Sequence, residues 1–314
     1  MRNAFADEIT RMAAEDPRVV LLSGDIGNRL FDKYKELFPS RFFNVGVAEA
    51  NMISVAAGLA ANGLRPIAYT IASFTTYRCY EQIRVDLCYQ NLPVTVVGVG
   101  AGMSYAANGG THHSCEDIAV LRCLPNMKVV CPADALEARA TMRAALKEAG
   151  PVYLRMGKKG EPKVYTEVPK LTIGKAITLR EGSDVCLVAT GNMVHEAGLA
   201  ADEMARHGVS CRVVSFHTIK PLDEELLAEA FDQCSVVATV EEHSVIGGLG
   251  SAVAEWVCRQ DKMRAKLLSF GTADEFLYES GDQKHARHKN GLTAHNICDV
   301  ACRALPKRAV KRVA

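Results

Sequence analysis

The sequence predicts an α/β protein of two units, each a mainly parallel sheet covered by helices, and three observations predict it. Short apolar runs alternate with helical segments along the chain, the pattern that strand–helix–strand crossovers impose on a parallel sheet. The alternation breaks over Gly157–Pro169, where Lys158, Lys159, Gly160, Pro162 and Pro169 read as an exposed linker. It resumes near Gly174 with no sequence repeat of the first half. A chain of 314 residues accommodates two units of ordinary size, divided here as 1–160, a linker at 161–174, and 175–314.

In the first unit the apolar runs Val19–Leu22, Pro66–Thr70, Pro93–Val99, Lys128–Cys131 and Pro151–Arg155 predict strands. Between the last two, Asp134–Ala149 carries Leu136, Ala140 and Ala144 at helical spacing. In the second unit Val185–Ala189, Ser210–Ser215 and Val236–Val240 predict strands, and Val194–His207, Asp223–Phe231 and Gly247–Arg259 predict helices. Asp223 follows Pro221 and precedes a regular apolar pattern, which places it at a helix start.

Composition excludes several function classes. The formal net charge is +1 with acids and bases mixed, so there is no electrostatic footprint for nucleic acid. The short basic stretch from Lys307 to Arg312 reads as a solvated end. No run approaches the roughly 18 uninterrupted apolar residues of a membrane span, and the opening MRNAFADEIT lacks a signal-peptide layout; a cytoplasmic location is the expectation. The 11 cysteines are scattered without a CxxC pair, which argues for reduced core thiols over zinc or disulfides. No metal site is expected in this chain.

Three segments carry chemistry. The first is Phe43–Met52, continuing into the small-residue helix Ile53–Ala61 with Glu49 as its lone carboxylate. Among apolar neighbours, desolvation raises a carboxyl's proton affinity, so Glu49 can share a proton with a basic ring nitrogen. Spacing alone equally allows, and favours, a first-turn glutamate serving the helix dipole. The second is Ala72–Arg84, where Phe74, Arg78 and Glu81 share one face of a helix beside Tyr77; core packing and an Arg78–Glu81 surface pair are the plainer alternatives. The third is Gly102–Ile118, where glycines precede Thr111-His112-His113. Adjacent histidines diverge in direction and no ligand cluster accompanies them, so metal binding is not the reading. The run Gly247-Gly248-Leu249-Gly250 lacks the G-x-G-x-x-G layout and reads as close packing.

Together these segments resemble the transketolase family: Gly46-Val-Ala-Glu49 is similar to its G-x-x-E motif, Phe74–Gln82 to its F-x-x-x-R-x-Y-E-Q helix, and Thr111-His112 to its T-H motif. Lesser likenesses are Glu116–Arg122, Pro125–Met127, Lys220–Asp223 and Glu241–Gly250. The resemblance spans nearly the whole chain and implies a thiamine diphosphate pyrimidine-binding domain followed by a transketolase C-terminal domain. It implies that Glu49 hydrogen-bonds the cofactor's aminopyrimidine, that Phe74 and Tyr77 hold that ring, and that Asp25 and Ile26 lie near the cofactor. It further implies that His112 works at the reacting carbon with His113 beside it, and that Arg155 binds a substrate anion.

The family's Gly-Asp-Gly metal and diphosphate motif is missing, since Gly24-Asp25 continues into Ile26. The resemblance therefore implies a split enzyme: a partner N-terminal subunit holds the diphosphate with Mg2+ or Ca2+, in an α2β2 heterotetramer acting on small sugar substrates. Two departures, Asn108 for an aspartate and Gly100 for a histidine twelve residues before His112, point away from a plain pentose-phosphate enzyme. A modified or nucleotide-linked sugar is the expectation for the two-carbon ketol or acyl transfer. The alternatives are a 2-oxo acid dehydrogenase β subunit, a deoxyxylulose phosphate synthase-like enzyme and a non-catalytic scaffold.

Overall fold

A computed structural model describes residues 1–27 and 29–306; the basic stretch Lys307–Arg312 lies outside the described residues. The first unit holds β1 (Val19–Ser23), β2 (Phe42–Asn44), β3 (Arg65–Ile71), β4 (Thr95–Val99), β5 (Lys128–Val130) and β6 (Val152–Met156). The second holds β7 (Ile177–Arg180), β8 (Val185–Ala189), β9 (Cys211–Ser215), β10 (Thr218–Lys220), β11 (Val236–Ser244) and β12 (Lys266–Thr272). Among the described residues these form a seven-stranded sheet in the order β10-β5-β6-β4-β3-β1-β2 and a five-stranded sheet in the order β12-β11-β8-β9-β7. All pairings are parallel except those of β10 with β5 and β7 with β9. The parallel strands β1, β4, β6, β8 and β11 are buried end to end, as expected for sheets covered on both faces.

Short or half-exposed strands escaped the sequence. The residues of β2 are partly or fully exposed, and β7 alternates half-buried with exposed residues, so neither presents a continuous apolar run. The edge β10 belongs to the first sheet although it lies far along in the second half, which joins the two units through backbone hydrogen bonds.

One expectation is met with an addition and one is corrected. Gly157–Pro169 carries no helix or strand and is partly or fully exposed beyond Gly157, but it is pinned: the Asp134 carboxylate accepts from the Val164 and Tyr165 amides at 2.8 and 3.0 Å, and the Tyr165 hydroxyl donates to Glu137 at 2.7 Å. The stretch from Ala72 to Arg84 is not one α-helix. It runs as a helix over Ala72–Thr76, a single turn over Tyr80–Gln82 and π-helical turns over Ile83–Tyr89, so Phe74, Arg78 and Glu81 form no common stripe.

Other local expectations hold. Asp223 sits before the helix Glu224–Gln233 and its carboxylate accepts from the Leu226 amide, satisfying a first-turn donor. Gly248 serves close packing, because a Cβ there would collide with Glu241 Oε2. That carboxylate instead accepts from the Leu249 and Gly250 amides at 2.7 and 2.8 Å. The cysteines are free thiols, most of them buried. No helix among the described residues is long and apolar enough to cross a membrane.

Candidate active site

In an open parallel sheet, ligands bind beyond the carboxyl ends of the strands, where neighbouring connections part to opposite sides. Here β1 lies between β2 and β3, so the chain leaves it in one direction and returns on the other side. Asp25 follows β1, Glu49 follows β2, Phe74, Tyr77 and Arg78 follow β3, Gly100 to His113 follow β4, and Lys158 follows β6. One rim of one sheet therefore carries every chemical segment that the sequence singled out.

Glu49 opens the helix Glu49–Ala61 and is 2% exposed. Gly24 permits this close approach: a Cβ there would come within 3.2 Å of Thr70 Oγ1 and 3.4 Å of Glu49 Cγ. The Thr70 hydroxyl is fully buried and has no hydrogen-bond partner. Arg78, expected to pair with Glu81, instead donates to Glu49 Oε2 at 3.1 Å; Glu81 pairs with Arg84 at 3.4 Å. The Arg78 guanidinium also lies 4.1 Å from the Phe74 ring centroid. It thus joins the carboxylate to the half-buried aromatic ring.

His112 stands between two rings, Phe74 at 5.2 Å and Tyr105 at 5.8 Å between centroids, and its Nδ1 is 3.0 Å from Thr111 Oγ1. Partial burial, reinforced by His113, Arg78 and Lys158, holds its imidazole below the ordinary histidine value. Its loop is fixed to the helix after β3 by the Ser73 hydroxyl, which donates to the Thr111 carbonyl at 3.1 Å. His113 turns elsewhere, with Nε2 3.2 Å from the Ala106 carbonyl. Tyr77 also turns aside, donating to Glu116 Oε2 at 2.6 Å. Asp25 adopts a left-handed conformation at φ 57°, and its carboxylate accepts from Asn44 at 2.9 Å. Ile26 is held in the same turn, its carbonyl accepting from the Ser23 hydroxyl at 2.8 Å.

Arg155 is the misplaced expectation. It is 5% exposed, its Nε donates to Asp117 at 2.9 Å, and one terminal nitrogen donates to the carbonyls of Ser114 and Glu242, both at 2.9 Å. Arg155 lies within β6 and points into the junction of the two units, where Asp117 and two backbone carbonyls take its donors. A second cation at the rim, besides Arg78, is Lys158, two residues past β6, whose Nζ lies 4.3 Å from the Tyr105 ring centroid. Sequence reasoning absorbed Lys158 into the linker; the strand-end rule, applied to β6, singles it out. Tyr105 was also missed. Its ring fills the space beside Gly100, where φ is +72° and a Cβ would collide with Tyr105 Cε2.

The donor set suits the ring end of thiamine diphosphate. A buried carboxylate with an adjacent unpaired hydroxyl can meet a heterocycle's edge, and Phe74 can meet its face. Among the described residues no group of three or more His, Cys, Asp or Glu is placed to hold a metal ion.

Two mainly parallel sheets covered by helices, in this order along the chain, match the fold of the transketolase pyrimidine-binding and C-terminal domains. Residues 1–162 match the family model for the transketolase pyrimidine-binding domain, and residues 174–297 match that for the transketolase C-terminal domain. The chain belongs to the transketolase family, whose members depend on thiamine diphosphate, and corresponds to the C-terminal subunit of a split transketolase. It is 39% identical to a 6-deoxy-6-sulfo-D-fructose transketolase subunit of a Clostridium species, over 96% of this chain and 93% of that protein. It is 37% identical to a subunit of the apulose-4-phosphate transketolase of Actinobacillus succinogenes, over 84% of this chain and 85% of that protein. A solved split-gene transketolase, described as an inactive β4 tetramer, superposes with a TM-score of 0.88 at 37% identity, covering 97% of both chains. The chain matches 1-deoxy-D-xylulose-5-phosphate synthase of Thermomicrobium roseum at 37% identity over 47% of that protein.

Proposed function

We propose that this chain is the activating half of a two-component, thiamine diphosphate-dependent transferase that moves a two-carbon ketol unit between carbohydrate-like substrates. The observation that carries the reading is the buried Glu49 at the switch point of the first sheet, near an unpaired Thr70 hydroxyl and linked through Arg78 to the Phe74 ring. Bound there, the cofactor supplies a nucleophilic carbon once its pyrimidine is correctly protonated. Glu49 holds the proton at the pyrimidine edge, Arg78 orients that carboxylate, and Phe74 supports the ring. His112, kept neutral by its surroundings, donates a hydrogen bond to the oxygen of the transferred unit. Asp25 and Ile26 border the cofactor from the turn after β1, and His113 braces the loop through the Ala106 carbonyl.

Lys158 takes the anion-binding role first assigned to Arg155, because its ammonium reaches the rim and the Arg155 guanidinium does not. Tyr105 replaces a side chain at position 100 and narrows the approach to His112. This supports an acceptor or donor other than the common pentose phosphates, and similarity to subunits named for a sulfosugar and for apulose 4-phosphate supports the same reading.

The diphosphate and Mg2+ or Ca2+ belong to an N-terminal partner subunit, in an α2β2 heterotetramer of the cytoplasm. The division into a pyrimidine-binding domain at 1–160, a connection at 161–174 and a C-terminal domain at 175–314 is part of the same proposal. Reconstitution with the partner tests it. Glu49→Ala should abolish ketol transfer while leaving assembly intact; unchanged turnover would support a scaffold subunit instead. Xylulose 5-phosphate and ribose 5-phosphate emerging as the best pair would sink the modified-sugar reading. Efficient use of pyruvate with glyceraldehyde 3-phosphate would favour a deoxyxylulose phosphate synthase-like reaction.

A further inference from the structure

The loop that carries His112 is anchored by the second unit. Gly102 and Ser114 close it with two reciprocal backbone hydrogen bonds of 2.9 Å each. Just inside that closure, the Met103 amide donates to Glu242 Oε1 at 2.7 Å. Glu242 lies in β11, is 1% exposed, and is itself held by Arg287 and by Gln283, whose Nε2 lies 2.9 Å from Oε1 and 3.0 Å from Oε2. Gln283 also donates to the Ser104 hydroxyl at 3.3 Å. The fit leaves no slack: Gly102 has φ +62°, and a Cβ there would lie 2.6 Å from Glu242 Oε1 and 2.7 Å from its carbonyl oxygen. On the far side of the closure, the Cys115 carbonyl accepts from the Ser244 amide at 2.7 Å. Met103 and Ala106 complete the anchor by joining the apolar core of the second unit, among Ala189, Val240 and Phe270.

We propose that Glu242 is a positioning residue for His112, so that the second unit sets the geometry of the first unit's reacting centre. The inference rests on the role assigned to His112 above. A buried, charge-assisted acceptor at the loop's entry fixes the path of the backbone that follows it. Displacing a catalytic group by an ångström is costly to the rate even when substrate still binds.

The test uses the reconstituted complex and compares Glu242→Ala, Glu242→Gln and the milder Gln283→Ala with His112→Ala. Thermal unfolding verifies that each variant is folded. Two readouts are taken: hydrogen exchange of the 102–114 amides, and kcat against KM. Glu242→Ala should raise loop exchange and lower kcat by at least about tenfold with KM little changed. Glu242→Gln, which keeps an acceptor for the Met103 amide, should recover part of both, and Gln283→Ala should shift both in the same direction by less. Unchanged loop exchange in Glu242→Ala and Gln283→Ala overturns the proposal, as does raised exchange with unchanged kcat where His112→Ala is impaired. If His112→Ala itself turns over normally, the reading of His112 has failed and the proposal falls with it, whatever the exchange data show.

Discussion

The rim of the first sheet and the seam between the two units are made of the same side chains, put to different use. At the seam, Asp117 accepts from Tyr153 and Arg155, while Arg155 donates to backbone carbonyls of both units. His243 is fully buried there, with Nδ1 2.8 Å from the Ser244 carbonyl and Nε2 3.3 Å from the Ala119 amide. At the rim, Glu49 has a half-exposed arginine, Thr70 has no partner, and His112 sits between ring edges. Groups already satisfied by the protein maintain structure; groups left with spare capacity are available to a ligand.

This contrast can be broken or sharpened by exchanging readouts. The greatest loss belongs to the rim: Glu49→Ala in the complex should lower kcat by about a thousandfold, within the range of proton-transfer losses, with the melting temperature of the chain unchanged or raised. At the seam, Arg155→Met should do the reverse. It leaves the Asp117 carboxylate buried without its counter-charge and should cost about 3 to 5 kcal/mol in urea unfolding. A substrate-specific rise in KM at full stability in that variant would restore Arg155 to an anion-binding role.

Third in size is a pH effect from groups buried at and beside the seam. Burial lowers His217 and His243 from 6.5 to about 4, so below pH 6.5 the unfolded chain takes up protons that the fold refuses. Their contribution to stability is complete above 6.5 and is lost as the pH falls toward 4. Glu137 and Glu241 are raised to about 7, chiefly by burial, and act with the opposite sign. Their contribution is complete below 4.5 and is lost as the pH rises through 7. The two sets offset each other, which predicts a nearly flat profile for these groups near pH 5 to 6. Glu137→Gln should unmask the histidines and steepen the loss of stability between pH 7 and 5 by about 2 kcal/mol. An unchanged slope would show that Glu137 is ionised in the fold.

The smallest expected effect returns to the rim. Lys158→Met should raise KM for an anionic substrate by a few fold, consistent with about 1 kcal/mol for a partly exposed charge, leaving kcat and thermal stability in place. An equal loss for a neutral substrate would point to packing on Tyr105 in place of charge.

Much of this molecule was legible in sequence because its central strands are continuous apolar runs and its chemistry lies in short local segments. Glu49, Phe74 and His112 were singled out by likeness to short family motifs, and the structure brings them to one rim. Residues whose roles depend on distant partners were not legible. Arg155 looks the same in sequence whether it faces a substrate or Asp117, and Lys158 is indistinguishable from a linker lysine until the end of β6 is located. The link between Arg78 and Glu49 was not legible, because helical spacing offered Glu81 as the nearer partner for the guanidinium.

The alternation of elements and the two sheet-forming halves were readable from the sequence, because periodicity and residue type act over a few positions of chain. The residues singled out for chemistry were read from likeness to the transketolase motifs. Only the tertiary structure decided which of those groups are saturated and which remain open. It also decided that β10 and Glu242 tie the second unit to the first, because burial and hydrogen-bond satisfaction are set by residues far apart in the chain.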